Sequence, residues 1–219
     1  MTLRTRFTEL VGVEHPVVQT GMGWVSGAHL TAATANAGGL GILASATMTY
    51  PELEAAIHKT KERTDKPFGV NLITMHPQLM ELIAVCARHK VGHVVLAGGL
   101  PPAGSLDAIK ASGAKVICFA PAMALAKKLI RSGVDALVIE GMEAGGHIGP
   151  VSTSVLAQEI LPEVADQVPV FVAGGIGRGE MIASYLEQGA AGVQIGTRLV
   201  CATECIAHPA FKKAFIRAS

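Results

Sequence analysis

The sequence predicts an α/β protein in which eight parallel strands alternate with helices and close into a (β/α)8 barrel. Its 219 residues are half hydrophobic and only 16% charged, which suits one large core better than two complete domains. Short apolar runs alternate along the chain with turns marked by glycine or proline and with alanine-rich helical patterns. The runs are almost continuously apolar, as is typical of parallel strands that are covered on both faces.

Eight such units follow one another, spaced by roughly 22 to 32 residues. The predicted strands cover residues 15–20, 40–44, 68–73, 93–97, 116–120, 136–139, 170–173 and 192–195. The helices predicted after the first five strands cover residues 28–37, 50–63, 77–89, 106–111 and 122–131. Eight units favour a closed barrel over an open Rossmann-type sheet, and no Gly-x-Gly-x-x-Gly pattern follows the first strand to support the latter.

The charge balance excludes several classes of partner. The formal net charge is +1 and aromatic residues make up 4% of the chain, so neither nucleic acid nor a membrane is predicted as a partner. Free, scattered cysteines and the lack of an apolar N-terminal segment predict a cytoplasmic location. Cys201 and Cys205 are spaced as Cys-x3-Cys, which is a poor zinc signature, and no metal site is predicted.

The segment 138–150, which reads VIEGMEAGGHIGP, carries the candidate catalytic residue. An apolar run ends in Glu140, and a turn with two adjacent glycines, Gly145 and Gly146, leads to His147. Glycines provide little side-chain cover, so we expect the imidazole to face a cavity at the carboxyl ends of the strands, where this fold collects its catalytic groups. An incidental loop histidine is the alternative.

Two further glycine-rich turns follow the seventh and eighth predicted strands. They read AGGIGRG (173–179) and IGTRL (195–199), and each is expected to open a helix. In this fold such turns in the last two units bind phosphate, so we predict that backbone N–H groups bind a phosphate dianion at Gly174, Gly175, Gly196 and Thr197. Alternatively, these glycines only permit tight packing of helix on strand.

Small and polar residues at two other strand ends predict the rest of the ligand. Gly21, Met22 and Gly23 leave room for a flat ring against the backbone, although core packing explains Met22 equally well. Asn71 is the one amide in an apolar run and can hydrogen-bond a heteroaromatic edge. A planar head with a phosphate tail fits this set, and flavin mononucleotide (FMN) is the simplest candidate.

Six segments, taken in order, resemble the nitronate monooxygenases, formerly called 2-nitropropane dioxygenases. They are HPVVQTGMGWVS, AGGLGIL, KPFGVNL, EGMEAGGHIG, VAGGIGRG and VQIGTRL. The superfamily also contains the flavin-dependent enoyl-acyl-carrier-protein reductases. The resemblance implies an FMN-binding TIM barrel over residues 1–219, with His147 acting near the flavin as a base toward the nitroalkane carbon or as a substrate anchor. The residues that it implies for the cofactor are Gly21, Met22, Gly23, Asn71, Glu140, Gly145, Gly146, Gly174, Gly175, Gln194, Gly196 and Thr197.

For function, the resemblance implies oxidation of alkyl nitronates with molecular oxygen. The first alternative is an enoyl-thioester reductase, acting on an acyl-carrier-protein or coenzyme A (CoA) ester with NAD(P)H as reductant, because EGMEAGGHIG followed by Val-Ser-Thr at 151–153 is similar to those reductases. The second is a non-catalytic flavin-binding barrel. A relative of inosine-monophosphate dehydrogenase is disfavoured, because that chemistry needs a cysteine after the sixth strand and none lies between Cys118 and Cys201.

The expected partner is a small-molecule substrate, a nitronate or an enoyl thioester, and a homodimer is the candidate assembly. Members of the family continue well past a segment matching HPAFKKAF (208–215) and add a smaller substrate-covering region. The resemblance therefore implies that this region is absent here and that the C-terminal part is truncated, which would leave the pocket open to water.

Overall fold

The computed structural model describes residues 3–146 and 149–218. In this part of the chain eight parallel strands form a closed barrel, so the predicted fold class is confirmed. The strands are β1 (Val17–Gln19), β2 (Leu40–Ala44), β3 (Phe68–Ile73), β4 (His93–Ala97), β5 (Lys115–Phe119), β6 (Ala136–Glu140), β7 (Val170–Ala173) and β8 (Gly192–Ile195). Each strand pairs with the next, and β1 pairs with β8 to close the barrel.

Helices separate the strands and cover the outside of the barrel. They are α1 (Arg6–Val11), α2 (Ala28–Asn36), α3 (Tyr50–Lys61), α4 (Leu79–Arg88), α5 (Ser105–Ala111), α6 (Met123–Arg131), α7 (Thr153–Val164), α8 (Gly179–Glu187) and α9 (Pro209–Arg217), with a 3₁₀ helix at Thr197–Cys201. The predicted strand bounds, and the five predicted helix bounds, agree with these to within two residues. Within residues 3–146 and 149–218, no helix is long and apolar enough to cross a membrane.

The turns after β7 and β8 each lead into a helix, as predicted, but the second helix is of the 3₁₀ type. Gly174 and Gly175 have φ values of +102° and +70°, which an α-helix excludes, and α8 begins only at Gly179. After β8 the chain forms the short 3₁₀ helix instead of an α-helix. At this part of the site individual backbone N–H groups therefore contribute more than helix dipoles do.

Helix α1, which the sequence analysis did not predict, closes the N-terminal end of the barrel. The side chains of Thr5 and Thr8 form a reciprocal capping box at its start. The ring of Phe7 is fully buried and meets Phe171 edge to face, with ring centroids 4.5 Å apart. A Cβ at Gly192 would lie 3.1 Å from the Phe7 ring, so glycine at this position leaves the space that Phe7 occupies. Helix α1 and Phe7 thus act as a plug at the N-terminal end of the barrel.

The apolar core has two layers, as strand alternation requires. The larger layer lies between the sheet and the surrounding helices, and Val70, Val116 and Val172 belong to it. The smaller layer fills the barrel interior above α1, and it includes Val18, Ile42, Val95, Ile117, Ala136, Val138, Phe171 and Ala173. Because side chains fill the barrel interior, a ligand has to bind beyond them, at the carboxyl ends of the strands.

Candidate active site

A cavity of about 1430 Å³ lies at the carboxyl ends of the strands. All the predicted cofactor residues line this cavity, although they come from distant parts of the chain. They are Gly21, Met22, Gly23, Asn71, Glu140, Gly145, Gly146, Gly174, Gly175, Gln194, Gly196 and Thr197. His147, the predicted catalytic residue, lies outside the described residues, between Gly146 and Gly149, which both line the cavity.

Three polar side chains point into the cavity because of strand alternation. Val138 belongs to the barrel interior, so Glu140, two residues later in β6, points to the same side. Gly192 faces the interior rings of Phe7 and Phe171, so Gln194 follows the same rule in β8. Asn71 is related in the same way to Gly69 in β3, whose missing side chain would touch Ile42 of the interior. Asn71, Glu140 and Gln194 thus form a polar layer at the cavity end of the barrel interior, here called the polar top layer.

The two amides of this layer belong to largely buried residues that line the cavity. Asn71 is 6% exposed and Gln194 is 4% exposed. Among the described residues neither side chain makes a hydrogen bond, although the backbone oxygen of Asn71 accepts one from the Ser45 hydroxyl at 2.6 Å. Neither amide belongs to the described side-chain atoms that are fully buried without a partner, so the polar atoms of both are open to the cavity. Both amides are therefore placed to hydrogen-bond a ligand in the cavity.

Glu140 is a half-buried acid with altered proton affinity. Burial raises the pKa of its carboxyl from 4.5 to about 7, because the ionised form loses hydration in the half-buried site. At neutral pH the group is therefore divided between its protonated and ionised forms. It can donate a hydrogen bond to a ligand when protonated and accept one when ionised.

The loop after β1 approaches the cavity wall so closely that two positions require glycine. A side chain on Gly21 would place its Cβ 2.7 Å from the Cβ of Asn71. A side chain on Gly196 would lie 2.9 Å from Thr20 Cγ2 and 3.4 Å from the sulfur of Met22. A larger residue at Gly21 would require the backbone to move, and one at Gly196 would require the Thr20 side chain to shift. Met22 is half-buried beside the cavity, which is compatible with both of its predicted roles.

A buried network that the sequence analysis missed holds this loop in place. The Gln19 side chain is fully buried, and its amide nitrogen donates to the Ser26 hydroxyl at 2.8 Å and to the Ile42 carbonyl at 3.0 Å. The Ser26 hydroxyl donates to the Thr20 carbonyl at 2.8 Å and accepts from the Met22 N–H at 3.0 Å. The sequence feature that could have indicated this network is Gln19, a polar residue between apolar neighbours and Thr20 in the first strand.

The predicted phosphate residues present free backbone donors to the cavity. Among residues 3–146 and 149–218, no hydrogen bond is donated by the N–H groups of Gly174, Gly175, Gly196 and Thr197. Gly174 and Gly175 have left-handed φ values, a conformation that turns successive N–H groups toward a shared concave surface. Such groups bind anions without requiring a cationic side chain.

The loop after β6 is anchored to the start of α7. The Glu143 carboxylate accepts hydrogen bonds from both the N–H and the hydroxyl of Thr153, each at 2.8 Å. These bonds, led by the backbone one, lower the pKa of the Glu143 carboxyl. A side chain at Gly141 would overlap the backbone of Thr153, and one at Gly174 would lie 2.8 Å from its hydroxyl. Gly145 and Gly146 are consequently held at the cavity edge.

The sequence analysis also missed the apolar part of the cavity wall. These side chains come from five separate segments, among them α6 and α9, and they are Ile73, Met75, Phe119, Leu125, Phe215 and Ile216. Most lie in loops or helices where an apolar residue is indistinguishable in sequence from a core residue. The cavity is therefore lined by apolar side chains as well as by the polar layer.

The fold and the cavity together define a (β/α)8 barrel with a nucleotide-sized site at the carboxyl ends of its strands. The nitronate monooxygenase family model matches residues 4–93 and 81–219, so the chain belongs to this family. The family resemblance derived from the sequence segments is therefore confirmed.

Three similar proteins illustrate the range within the family. A (3aS,4S,5R,7aS)-5-hydroxy-7a-methyl-1-oxo-octahydro-1H-indene-4-carboxyl-CoA dehydrogenase from Rhodococcus jostii is 50% identical over 98% of this chain. A nitronate monooxygenase from Pseudomonas aeruginosa is 30% identical over 95% of this chain and 72% of its own length. The structure of FabK from Thermotoga maritima superimposes with a TM-score of 0.94 and 41% identity over 100% of this chain and 69% of that one. The chain spans 60% of the length of the Rhodococcus relative.

Proposed function

We propose that the protein is an FMN-dependent oxidoreductase that acts on an acyl thioester, of the CoA or acyl-carrier-protein type. The observation that carries the cofactor assignment is the set of unpartnered polar groups around one cavity. Within residues 3–146 and 149–218, the three side chains of the polar top layer make no hydrogen bond, and four backbone N–H groups that line the same cavity donate none. FMN offers both a hydrogen-bonding ring edge and a phosphate dianion to satisfy them.

The dimensions and residues of the cavity support FMN as the cofactor. Its volume of about 1430 Å³ exceeds the roughly 300–1,000 Å³ of a pocket for one drug-sized ligand, which leaves space for a substrate beside a nucleotide. Asn71 and Gln194 would hold the polar edge of the ring, and Gly21 to Gly23 would lie against its face. Gly174, Gly175, Gly196 and Thr197 would hold the phosphate.

FMN when bound would supply the two-electron chemistry that amino-acid side chains lack. The protein's own groups would fix the position of the reacting carbon and control protons. The Glu140 carboxyl, with its pKa raised to about 7, can hold a proton at the polar edge of the site under neutral conditions. The apolar wall from Met75 to Phe215 would exclude water from one side of the substrate and hold an acyl group.

The substrate class rests on the relatives. The Rhodococcus relative, 50% identical, acts on a CoA thioester according to its name, and the FabK structure, 41% identical, belongs to the enoyl reductases. By these names, both act on substrates that carry an acyl thioester. We therefore favour the thioester over the nitronate that the sequence analysis ranked first.

Nitronate oxidation is the second candidate, because the matching family model and the Pseudomonas relative carry that name. An alkyl nitronate is a small anion and would leave much of the cavity unfilled. The two candidates also differ in reductant. A thioester reductase draws electrons from NAD(P)H, whereas a nitronate monooxygenase takes them from its own substrate.

Anaerobic flavin spectroscopy separates the two candidates. The purified, FMN-loaded protein is mixed without oxygen with NADH, with NADPH or with propyl-2-nitronate, and flavin absorbance is followed. We expect NADH or NADPH to bleach the flavin, and a short 2-enoyl-CoA added afterwards to restore its colour. Bleaching by the nitronate alone would instead establish the monooxygenase. A flavin that none of these compounds reduces would support the non-catalytic barrel.

His147→Ala is expected to retain FMN and to lose turnover by at least about tenfold, because a positioned histidine commonly contributes 10²–10⁴-fold as an acid or base. Steady-state turnover and bound flavin are measured on the same preparation. Wild-type turnover in the variant would remove His147 from the mechanism. Loss of flavin together with turnover would assign it to cofactor binding instead.

A further inference from the structure

A separate cluster of metal-ligand side chains lies on the outside of the barrel, where α3 meets the end of α4. Glu54 and His58 are four residues apart on α3, so they occupy the same face of that helix. His89 directly follows α4 and comes from 35 residues further along the chain than Glu54. None of the three lines the cavity at the carboxyl ends of the strands.

The three side chains already lie close enough to share one ion. One oxygen of Glu54 and one nitrogen of each histidine lie within 4.8 Å of one another. The Glu54 carboxylate and His89 Nε2 are 2.7 Å apart, and the two imidazole rings meet edge to face at 4.7 Å between centroids. Zn²⁺ bonds of about 2.0–2.2 Å require ligand atoms roughly 3.3–3.6 Å apart. The Glu54–His89 pair at 2.7 Å would therefore have to lose its hydrogen bond and separate slightly, and the exposed His58 ring would have to rotate toward it.

We propose that Glu54, His58 and His89 form a binding site for a divalent transition-metal ion of the zinc class. Two imidazoles and one carboxylate are the ligand types that Zn²⁺ takes in sites with three protein ligands, where a water molecule fills the fourth position. The ion would join α3 to α4 and stabilise this side of the barrel, since it binds the folded chain and the unfolded chain does not preform the site.

The surroundings of the cluster permit an ion to enter. Glu54 is about one-third exposed and His89 is 15% exposed, while His58 lies at the surface. The nearest competing cation is Arg88, whose Nη1 lies 3.7 Å from the Glu54 carboxylate on a side chain that is 60% exposed. That guanidinium can move into solvent when the ion replaces it. Lys61 is engaged elsewhere, since its Nζ donates to the His89 carbonyl at 2.6 Å.

Zinc titration of the purified protein, with whatever flavin it carries, tests the proposal. The protein is treated with EDTA, dialysed and titrated with ZnCl₂ at pH 7.5 by calorimetry, and its thermal unfolding is recorded with and without zinc. We expect one ion per chain and a rise in the unfolding midpoint of roughly 5 °C at a zinc concentration of about 100 times Kd. Neither readout depends on enzymatic activity, so the result is independent of the function proposed above.

Two variants and one control identify the ligands. Glu54→Gln keeps a hydrogen-bond acceptor for His89 but removes the charged ligand, and His58→Gln leaves the Glu54–His89 bond in place. We expect each to weaken zinc binding at least tenfold, whereas His29→Gln, at an exposed position on α2, leaves it unchanged. Wild-type affinity in either Glu54→Gln or His58→Gln would overturn the site, as would the absence of saturable binding to the wild-type protein.

Discussion

Gly175→Val is expected to weaken FMN binding by at least about 100-fold, which corresponds to roughly 2.7 kcal/mol. Gly175 has a φ of +70°, and a Cβ there would lie 3.1 Å from the Cβ of Glu143. The valine side chain therefore occupies the space between the two loops where the phosphate would approach the backbone. One charge-assisted hydrogen bond to the phosphate, worth about 1.5–3 kcal/mol, would also be lost.

The same substitution has a second effect that must be measured separately. A β-branched residue in the left-handed region is strained by about 1–3 kcal/mol in the folded protein, whether or not FMN is bound. Circular dichroism and thermal unfolding of the flavin-free protein report this loss of stability. Titration with FMN, followed by quenching of its fluorescence, reports affinity in the fraction that remains folded.

Gly179→Ala is the matched control in the same segment. Gly179 begins α8, has no left-handed φ, and has open space where a Cβ would be placed. We expect wild-type FMN affinity in this variant and slightly greater stability, because alanine favours a helix more than glycine does. Full occupancy by FMN in Gly175→Val would contradict the placement of the phosphate.

The barrel could be predicted from the sequence because buried parallel strands leave a strong signal. Runs such as Val170–Ala173 are apolar at every position, and the turns between units are marked by glycine. Asn71, the polar exception in its run, was equally visible, whereas Gln194 was predicted only through the family resemblance. In this fold the strand ends meet at one face, so position in the repeat was sufficient to place these residues together.

Features that depend on packing between distant segments could not be predicted in this way. Phe7 is an ordinary apolar residue in sequence, and only its contact with Phe171 identifies α1 as a plug. Leu125 and Phe215 likewise look like ordinary core residues in the sequence, and only the structure shows that they line the cavity. The Glu54–His89 contact joins residues from two different helical units, and nothing in the local spacing of either indicates the other.

Glu140→Gln is expected to stabilise the flavin-free protein at neutral pH but not at acidic pH. The pKa of Glu140 is about 7 in the folded chain and 4.5 in the unfolded reference, so the unfolded chain releases this proton first. Stability therefore falls as pH rises from 4.5 to 7, by about 2 kcal/mol once solvent screening of this half-buried group is taken into account. Glutamine removes that term without changing the shape of the side chain.

His93, the first residue of β4, changes the stability with pH in the opposite direction. Burial lowers its pKa from 6.5 to about 4, opposed by the Phe68 backbone and, more weakly, by Asp135, while Lys115 adds to the lowering. The unfolded chain binds this proton first as pH falls, so stability declines from pH 6.5 to 4 by about 3 kcal/mol. In the wild-type protein the two slopes partly cancel between pH 4.5 and 6.5.

Thermal unfolding across pH separates these two terms. At pH 8 we expect Glu140→Gln to unfold about 5 °C above the wild-type protein, and at pH 4.5 we expect the two midpoints to agree to within about 1 °C. Because the variant lacks the contribution of Glu140, it should also lose stability more steeply than the wild type as pH falls below 6.5, where only protonation of His93 acts.

Glu143→Gln is the matched control of opposite sign. Hydrogen bonds from Thr153 lower the pKa of Glu143, so this variant should be destabilised at pH 8 and approach the wild type as pH falls. A midpoint difference between Glu140→Gln and wild type that is the same at pH 4.5 and 8 would contradict the raised pKa of Glu140, and with it the proton-holding role proposed for this carboxyl.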